Sequence, residues 1–302
     1  MEIFMLRKWI IPVLIGLFNI TLLLYPRVVL LAAREGLLLW FLTVLPSLLP
    51  FMIATNLLIK LGVFGKMNSE FAAFLMGLVS GYPMGAKTVG DMYRTGDIEP
   101  QNARWLLSFC NNAGPLFIVG VVGMGMFGSA SVGYALWITH VLAALTIGAF
   151  GWFKKRNRII QVRKKTNFEP ESPPIGRILS DSVKNAMEAM ALVGGLIIFF
   201  NVAAQILRTV LAIESPLLMG FFAGFLEVTG GARMVSSQNV GFATLALAAA
   251  IIGFGGLSVH AQALHFIAGT GMRPAVYFMY KALHGLLAAG LMALAWLFFP
   301  LG

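Results

Sequence analysis

Of the 302 residues, 59% are hydrophobic and only 11% are charged, against about 25% charged in ordinary soluble domains. No soluble core of this length can bury that much apolar surface, so the composition excludes a soluble enzyme and points to a chain solvated by lipid. The net charge of +10 raises the question of nucleic acid. However, seven of the 22 cations (Lys154, Lys155, Arg156, Arg158, Arg163, Lys164 and Lys165) fall in one acid-free stretch. Such a loop beside a span marks a cytoplasmic face, and no base-reading aromatics interleave it.

A spanning helix needs about 20 apolar residues. The first candidate, Trp9–Tyr25, follows Arg7-Lys8 and has no A-x-A site close behind it, so it reads as a retained span rather than a signal peptide. It crosses outward, and Leu37–Ile59 returns to Lys60 and Lys66 inside. From Phe71 to Thr95, apolar arms too short to span flank Gly81-Tyr82-Pro83-Met84-Gly85, which predicts a re-entrant hairpin. Asn102–Phe127 crosses next, and Val132–Phe153 returns to the basic loop. Lys154–Pro174, with Pro170, Pro173 and Pro174, is the linker, and Gly176–Ala189 reads as an amphipathic helix lying on the membrane surface. Leu192–Leu211, a second hairpin, an interrupted span and Ala275–Phe299 complete the chain. The division is a first span at 1–33, a repeat at 34–153, a basic linker at 154–176 and a second repeat at 177–302.

Gly85-Ala86-Lys87 matches Gly231-Ala232-Arg233, and His140 matches His284, in the same order in each half. Each half has three crossings and a hairpin. An odd count with the linker on one side requires inverted repeats, which place solute near the bilayer midplane. The expected fold is an all-α, polytopic membrane bundle of two inverted repeats, each with a re-entrant hairpin and a broken transmembrane helix. The single cysteine, Cys110, leaves no internal disulfide.

Four segments break the apolar rule. Irregular backbone at membrane depth is tolerated only where protein buries it or it lines a wet cavity. The hairpin tips offer Ser80, Gly81 and Pro83 in one half and Glu227 and Thr229 in the other. The interrupted spans are Asn111-Asn112-Ala113-Gly114-Pro115, with Pro115 suited to restart a helix, and Gly253-Phe254-Gly255-Gly256-Leu257, with Ser258 as the cap of a new helix. Two half-helix N-termini would then present partial positive charge and free N–H groups to an anionic or strongly polar solute. Lys87 either snorkels or meets solute, and Arg233 either meets solute or pairs with Glu227. His260 and Gln262 follow the second break directly. His260 and His265, five residues apart, lie on different helix faces and do not form a metal site. His140 and His284 read as interhelical hydrogen bonders, and Lys281 either lines the cavity or reaches the inner surface. The candidate solute-binding set is therefore Ser80, Gly81, Pro83, Lys87, Asn111, Asn112, Pro115, Glu227, Thr229, Arg233, Ser258, His260 and Gln262. No HExxH, GxSxG or paired-carboxylate motif is present, so neither an enzyme nor a cofactor is expected.

The runs SGYPMGAKTVGDMYRTGDI, LSFCNNAGPLFIVG, FLEVTGGARMVSS and GFGGLSVHAQALHFI resemble the sporulation integral membrane protein YlbJ family, from about Arg34 onward. The resemblance implies a nucleoside-recognition or gate domain related to concentrative nucleoside transporters and to the gate regions of ferrous-iron transporters. It also implies a place in the membrane around the developing spore and a role in passing dipicolinic acid, a planar dianion. The resulting expectation is a secondary carrier of a small organic anion, with a proton or sodium as coupling ion. A nucleoside or metal-ion carrier, and a non-transporting gate or assembly subunit with dry-packed hairpins, stand as alternatives. Besides lipid and solute, a homo-oligomeric partner remains open.

Overall fold

The computed structural model describes residues 2–61, 69–155 and 174–298. Most of the basic stretch and linker, together with Lys66, lies outside the described residues. Among those described there are thirteen α-helices, two π-helical segments and no strand. Five helical stretches are long and apolar enough to cross a membrane: Pro26–Leu58, Ala130–Gly151, Ile175–Leu211, Phe242–Ile267 and Pro274–Phe298. Leu23, Leu30, Phe41, Phe150, Leu286 and Leu297 are all more than half exposed, which a water-soluble surface would not sustain. The chain is a polytopic all-α membrane protein.

Helix α1 (Glu2–Leu24) precedes α2 (Pro26–Leu39), whose Pro26 occupies the first helical turn. The residue 33/34 boundary falls inside α2, which runs through a π-helical turn, π1 (Trp40–Val44), into α3 (Leu45–Lys60). Pro46 and Pro50 remove two donors from this helix, and the Leu45 N–H reaches back five residues to Trp40, which is how a helix absorbs such a loss. Hairpin one is α4 (Ser69–Ser80) and α5 (Met84–Arg94). Helix α6 (Pro100–Leu107), a non-helical stretch and π2 (Leu116–Met126) form the first broken span, followed by α7 (Ala130–Lys155).

The second half repeats this order. Helix α8 (Ile175–Leu211) leads to hairpin two, α9 (Pro216–Leu226) and α10 (Val228–Ser236). The second broken span is α11 (Phe242–Phe254) and α12 (Gly256–Ile267), and α13 (Pro274–Phe298) closes the described chain. The surface helix expected at Gly176–Ala189 is instead the first part of the 37-residue α8. No proline or cap interrupts it at the change in polarity, and Ile178, Ser182, Ala186, Met190 and Gly194 form one buried stripe at four-residue spacing. Trp40 and α3 cover that stripe. The Trp40 indole donates to the Met190 carbonyl at 3.0 Å and packs on Gly194, and Lys60 pairs with Asp181 at 3.1 Å.

Both hairpins cross where glycines meet. A Cβ on Gly77 would lie 3.1 Å from the Gly85 Cα and would overlap the Cys110 carbonyl, and a Cβ on Gly231 would overlap Gly224. The broken spans touch the closing helices in the same way, Gly123 against Gly133 and Gly253 against Gly285. These approaches are backbone to backbone, with no side chain that could yield. Gly77→Ala should therefore lower the midpoint of thermal unfolding in detergent, by the equivalent of about 1–3 kcal/mol for overpacking. Gly195→Ala, where a Cβ meets nothing within 4 Å inside α8, should leave the midpoint unchanged or raise it, by up to about 1 kcal/mol of helix propensity.

Candidate functional site

Each hairpin tip rests on the break of its own half. Hairpin one turns at Gly81, with φ of 75°, and a Cβ there would sit 2.9 Å from the Gly114 nitrogen. In the other half, a Cβ on Gly256 would come within 3.1 Å of both the Glu227 Cα and the Val228 nitrogen. Only glycine permits such contact with a positive φ.

The first break has the expected form: Asn111–Gly114 is non-helical, and π2 restarts after Pro115. The second is narrower than expected. Gly255 alone leaves the helix, with φ of 88°, and α12 begins at Gly256. Two successive positive-φ glycines redirect the chain within one residue, so nothing remains for Ser258 to cap. It lies within the first turn of α12 instead. Glu227 is the cap that sequence reading assigned otherwise. Its carboxylate accepts from the Thr229 N–H at 2.8 Å and the Gly230 N–H at 2.6 Å, while Arg233 is exposed.

Backbone groups freed by the breaks are bonded across the two halves. The Tyr82 hydroxyl, from hairpin one, donates to the Ile252 carbonyl beside the second break. The Lys281 side-chain nitrogen, from α13, donates to the Asn111 carbonyl at 2.9 Å in the first break. The Asn111 amide donates to the Tyr277 hydroxyl at 2.6 Å. Within the first half, the Ala113 N–H donates to His140 Nε2 at 3.1 Å. His284 Nε2 lies 3.0 Å from the His140 carbonyl, and the two rings are 4.4 Å apart, so these histidines do bond between helices.

Hairpin tips and breaks enclose a cavity of about 70 Å³. Its polar wall is Ser80, Gly81, Tyr82, Gly114, Glu227, Thr229, Ser258 and Gln262, and α3 and α8 close the apolar side with Leu48, Met52, Val193 and Leu196. The opening residues of three helical segments (π2, α10 and α12) thus line one small space, beside the turn that precedes α5. Ser80 Oγ and Gln262 Oε1 have no hydrogen-bond partner among the described residues, and in a cavity wall such atoms await water or solute. A second cavity, about 570 Å³ and more open, shares Met52 and Gln262 with the first and is lined by Asn56, Lys60, Pro83, Lys87, Asn185 and Glu188.

Of the candidate set, the structure brings Ser80, Gly81, Glu227, Thr229, Ser258 and Gln262 together at the central cavity. Pro83 and Lys87 line the wider one, where Lys87 pairs with Asp91 at 2.8 Å. Asn111 and Asn112 are buried, Pro115 precedes π2, and Arg233 is exposed and lines neither cavity. His260 is buried among Phe254, Phe278 and Tyr277, at centroid distances of 4.6, 4.8 and 5.5 Å. No cation is among the described residues lining the central cavity, so Lys87 and Arg233 do not clamp one solute in this arrangement. Sequence reading missed Tyr82 and Tyr277 and left Lys281 undecided. The signal was there: Tyr277, Lys281 and His284 fall at helical spacing on one face of a span, and all are buried.

The chain is 29% identical, over 324 aligned positions, to the sporulation integral membrane protein YlbJ of Bacillus subtilis (strain 168). The alignment takes in 91% of this chain and 79% of that protein. No protein-family model matches the chain, and no solved structure matches it.

Removing the Tyr82 hydroxyl leaves the Ile252 carbonyl unpaired in a buried site. Tyr82→Phe should therefore cost about 1–3 kcal/mol and speed backbone hydrogen exchange on both sides of Gly255. Unchanged unfolding and exchange would show that the bond contributes nothing.

Proposed function

We propose that this chain, a member of the YlbJ family, is a secondary carrier of a small organic anion, dipicolinate, in the membrane of a spore-forming cell, and not an enzyme. The observation that supports this most is the convergence of three helical N-termini, of π2, α10 and α12 and so from both halves, on one small space. Half-helix N-termini at membrane depth are the usual means of holding an anionic group in carriers. Glu227 occupies the N–H groups of one of the three, which leaves π2 and α12 for solute. The hydroxyls of Ser80, Thr229 and Ser258 and the Gln262 amide supply neutral hydrogen bonds around them.

The two cavities give the carrier a route. Solute enters the wider one past the ion-paired Lys60 and Lys87 and passes Met52 and Gln262 into the narrow one. At about 70 Å³ the central cavity holds water, and a ring-sized solute requires the hairpin tips to part from α3 and α8. One observation favours a second reading, a neutral solute such as a nucleoside: the wall carries a carboxylate and amide and hydroxyl groups, with no cation.

Uptake of radiolabelled dipicolinate into proteoliposomes, with unlabelled competitors, separates the readings. Dipicolinate should accumulate, other aromatic dicarboxylates should compete, and uridine should not. Competition by uridine but not by dicarboxylates would establish the neutral-solute reading. Gln262→Leu should raise the KM for dipicolinate by roughly tenfold, the loss of one hydrogen bond to a charged group. Arg233→Gln should change it less than about twofold, being exposed and outside both cavities.

A further inference from the structure

Lys281 is 1% exposed in the middle of α13, and no carboxylate among the described residues forms an ion pair with it. A buried ammonium is normally paired or strongly bonded, and an ionisable group inside a membrane span marks a function or a partner. The groups facing it are Tyr82 from hairpin one, Asn111 from the first break, His140 from α7, His260 from α12, and Tyr277 and His284 from its own helix. None carries a fixed negative charge.

The hydrogen bonds define where the protons sit. His140 Nε2 accepts from Ala113, so its proton is on Nδ1. His284 Nε2 faces a carbonyl and must donate, so its Nδ1, 3.1 Å from the lysine nitrogen, is the acceptor. Lys281 therefore has two acceptors, the Asn111 carbonyl and His284 Nδ1. A neutral amine has two N–H groups and satisfies both. The ammonium satisfies both and has a third N–H left over, and the ring of Tyr82 lies 5.5 Å away. The site can thus gain or lose one proton while both acceptors stay bonded, the third N–H of the ammonium being left to the face of Tyr82. Tyr82 is itself a wall of the central cavity, which the N–H-bonded Glu227 carboxylate also lines, so an anion held there adds negative charge on the far side of Tyr82 from that proton.

We propose that the Lys281 amine is a proton-binding site linked to the central cavity, so that a proton and an anion bind together and cross together. The proton comes from water, converts the amine to an ammonium, and returns to water when the anion leaves. The proposal rests on the anion-carrier reading. Linkage is reciprocal, so an anion that binds more tightly to the protonated protein must also draw in a proton.

Calorimetric titration of the full-length protein in nanodiscs with dipicolinate, repeated in buffers of different ionisation enthalpy, counts protons taken up on binding. The wild type should take up a proton, and its affinity should fall roughly 5- to 150-fold from acid to alkaline pH, the span usual for coupled sites. Lys281→Arg, permanently charged, and Lys281→Met, permanently neutral, should each bind with flat pH dependence and no proton uptake, the Met variant more weakly. Having two variants guards against one that does not fold. His265→Gln, at an exposed position outside both cavities, should behave as the wild type. Wild-type binding without proton uptake would overturn the proposal and leave the carrier reading standing, as would uptake that survives Lys281→Met or disappears in His265→Gln. No dipicolinate binding at any pH would sink both.

Discussion

Backbone at membrane depth has no water to bond to, and every carbonyl or N–H released from a helix must find a protein partner. Two helices of this protein are broken inside the bundle, and the way their released groups are satisfied governs much of the rest. The first break leans on a lysine from the last helix of the second half, and the second leans on a tyrosine from the first hairpin. Neither half satisfies its own broken helix alone. The conspicuous polar residues in otherwise apolar spans, Tyr82, Asn111, Tyr277 and Lys281, sit where they do because the breaks need them.

The same geometry sets the electrostatics of the cavity. A helix break creates a C-terminus and an N-terminus at once. Here the carbonyl ends are engaged by Tyr82 and Lys281, while the N-terminal ends stand at the cavity. Glu227 tempers the result by occupying two N–H groups at the start of α10. On the anion-carrier reading, partial charges from the backbone take the place expected of Lys87 and Arg233. A pair of full cations would bind an anion more tightly, but a carrier must also release it, and on that reading partial charges favour turnover over retention.

Much of this was legible in the sequence, for identifiable reasons. Glycine clusters and a proline after polar residues reveal broken helices because few other residues survive there, and both hairpins and both breaks lie where those signals put them. Element lengths were less legible. Polarity changes abruptly within α8 while helical geometry does not, so hydropathy divided one 37-residue helix into two. Side-chain assignments failed for a different reason. Arg233 follows Gly231-Ala232 as Lys87 follows Gly85-Ala86, but sequence spacing does not say which face of a short helix meets the cavity. Glu227 was paired in sequence with the nearest cation, whereas the N–H groups two and three residues on were nearer.

Contacts between the halves are of two kinds, close backbone packing, as of Gly90 against the Phe266 carbonyl and Gly36 against Ile198, and side-chain hydrogen bonds. Within each half, hairpin tip and break meet through glycine, backbone against backbone, at separations that no side chain can cushion. Between halves, the bonds from Tyr82, Asn111 and Lys281 run through rotatable side chains. Packed backbone is stiff, whereas a side-chain hydrogen bond can be exchanged by rotation about single bonds. On the carrier reading, a change of access that keeps the glycine contacts moves each hairpin with its own break, holds α5 on α12 where Gly90 meets the Phe266 carbonyl, and takes up the displacement at the side-chain bonds between the halves. The cavity wall is drawn from both halves, and Tyr82 belongs both to that wall and to those bonds. On that reading, a solute in the cavity touches the bonds that rearrange without a relay through the rest of the bundle.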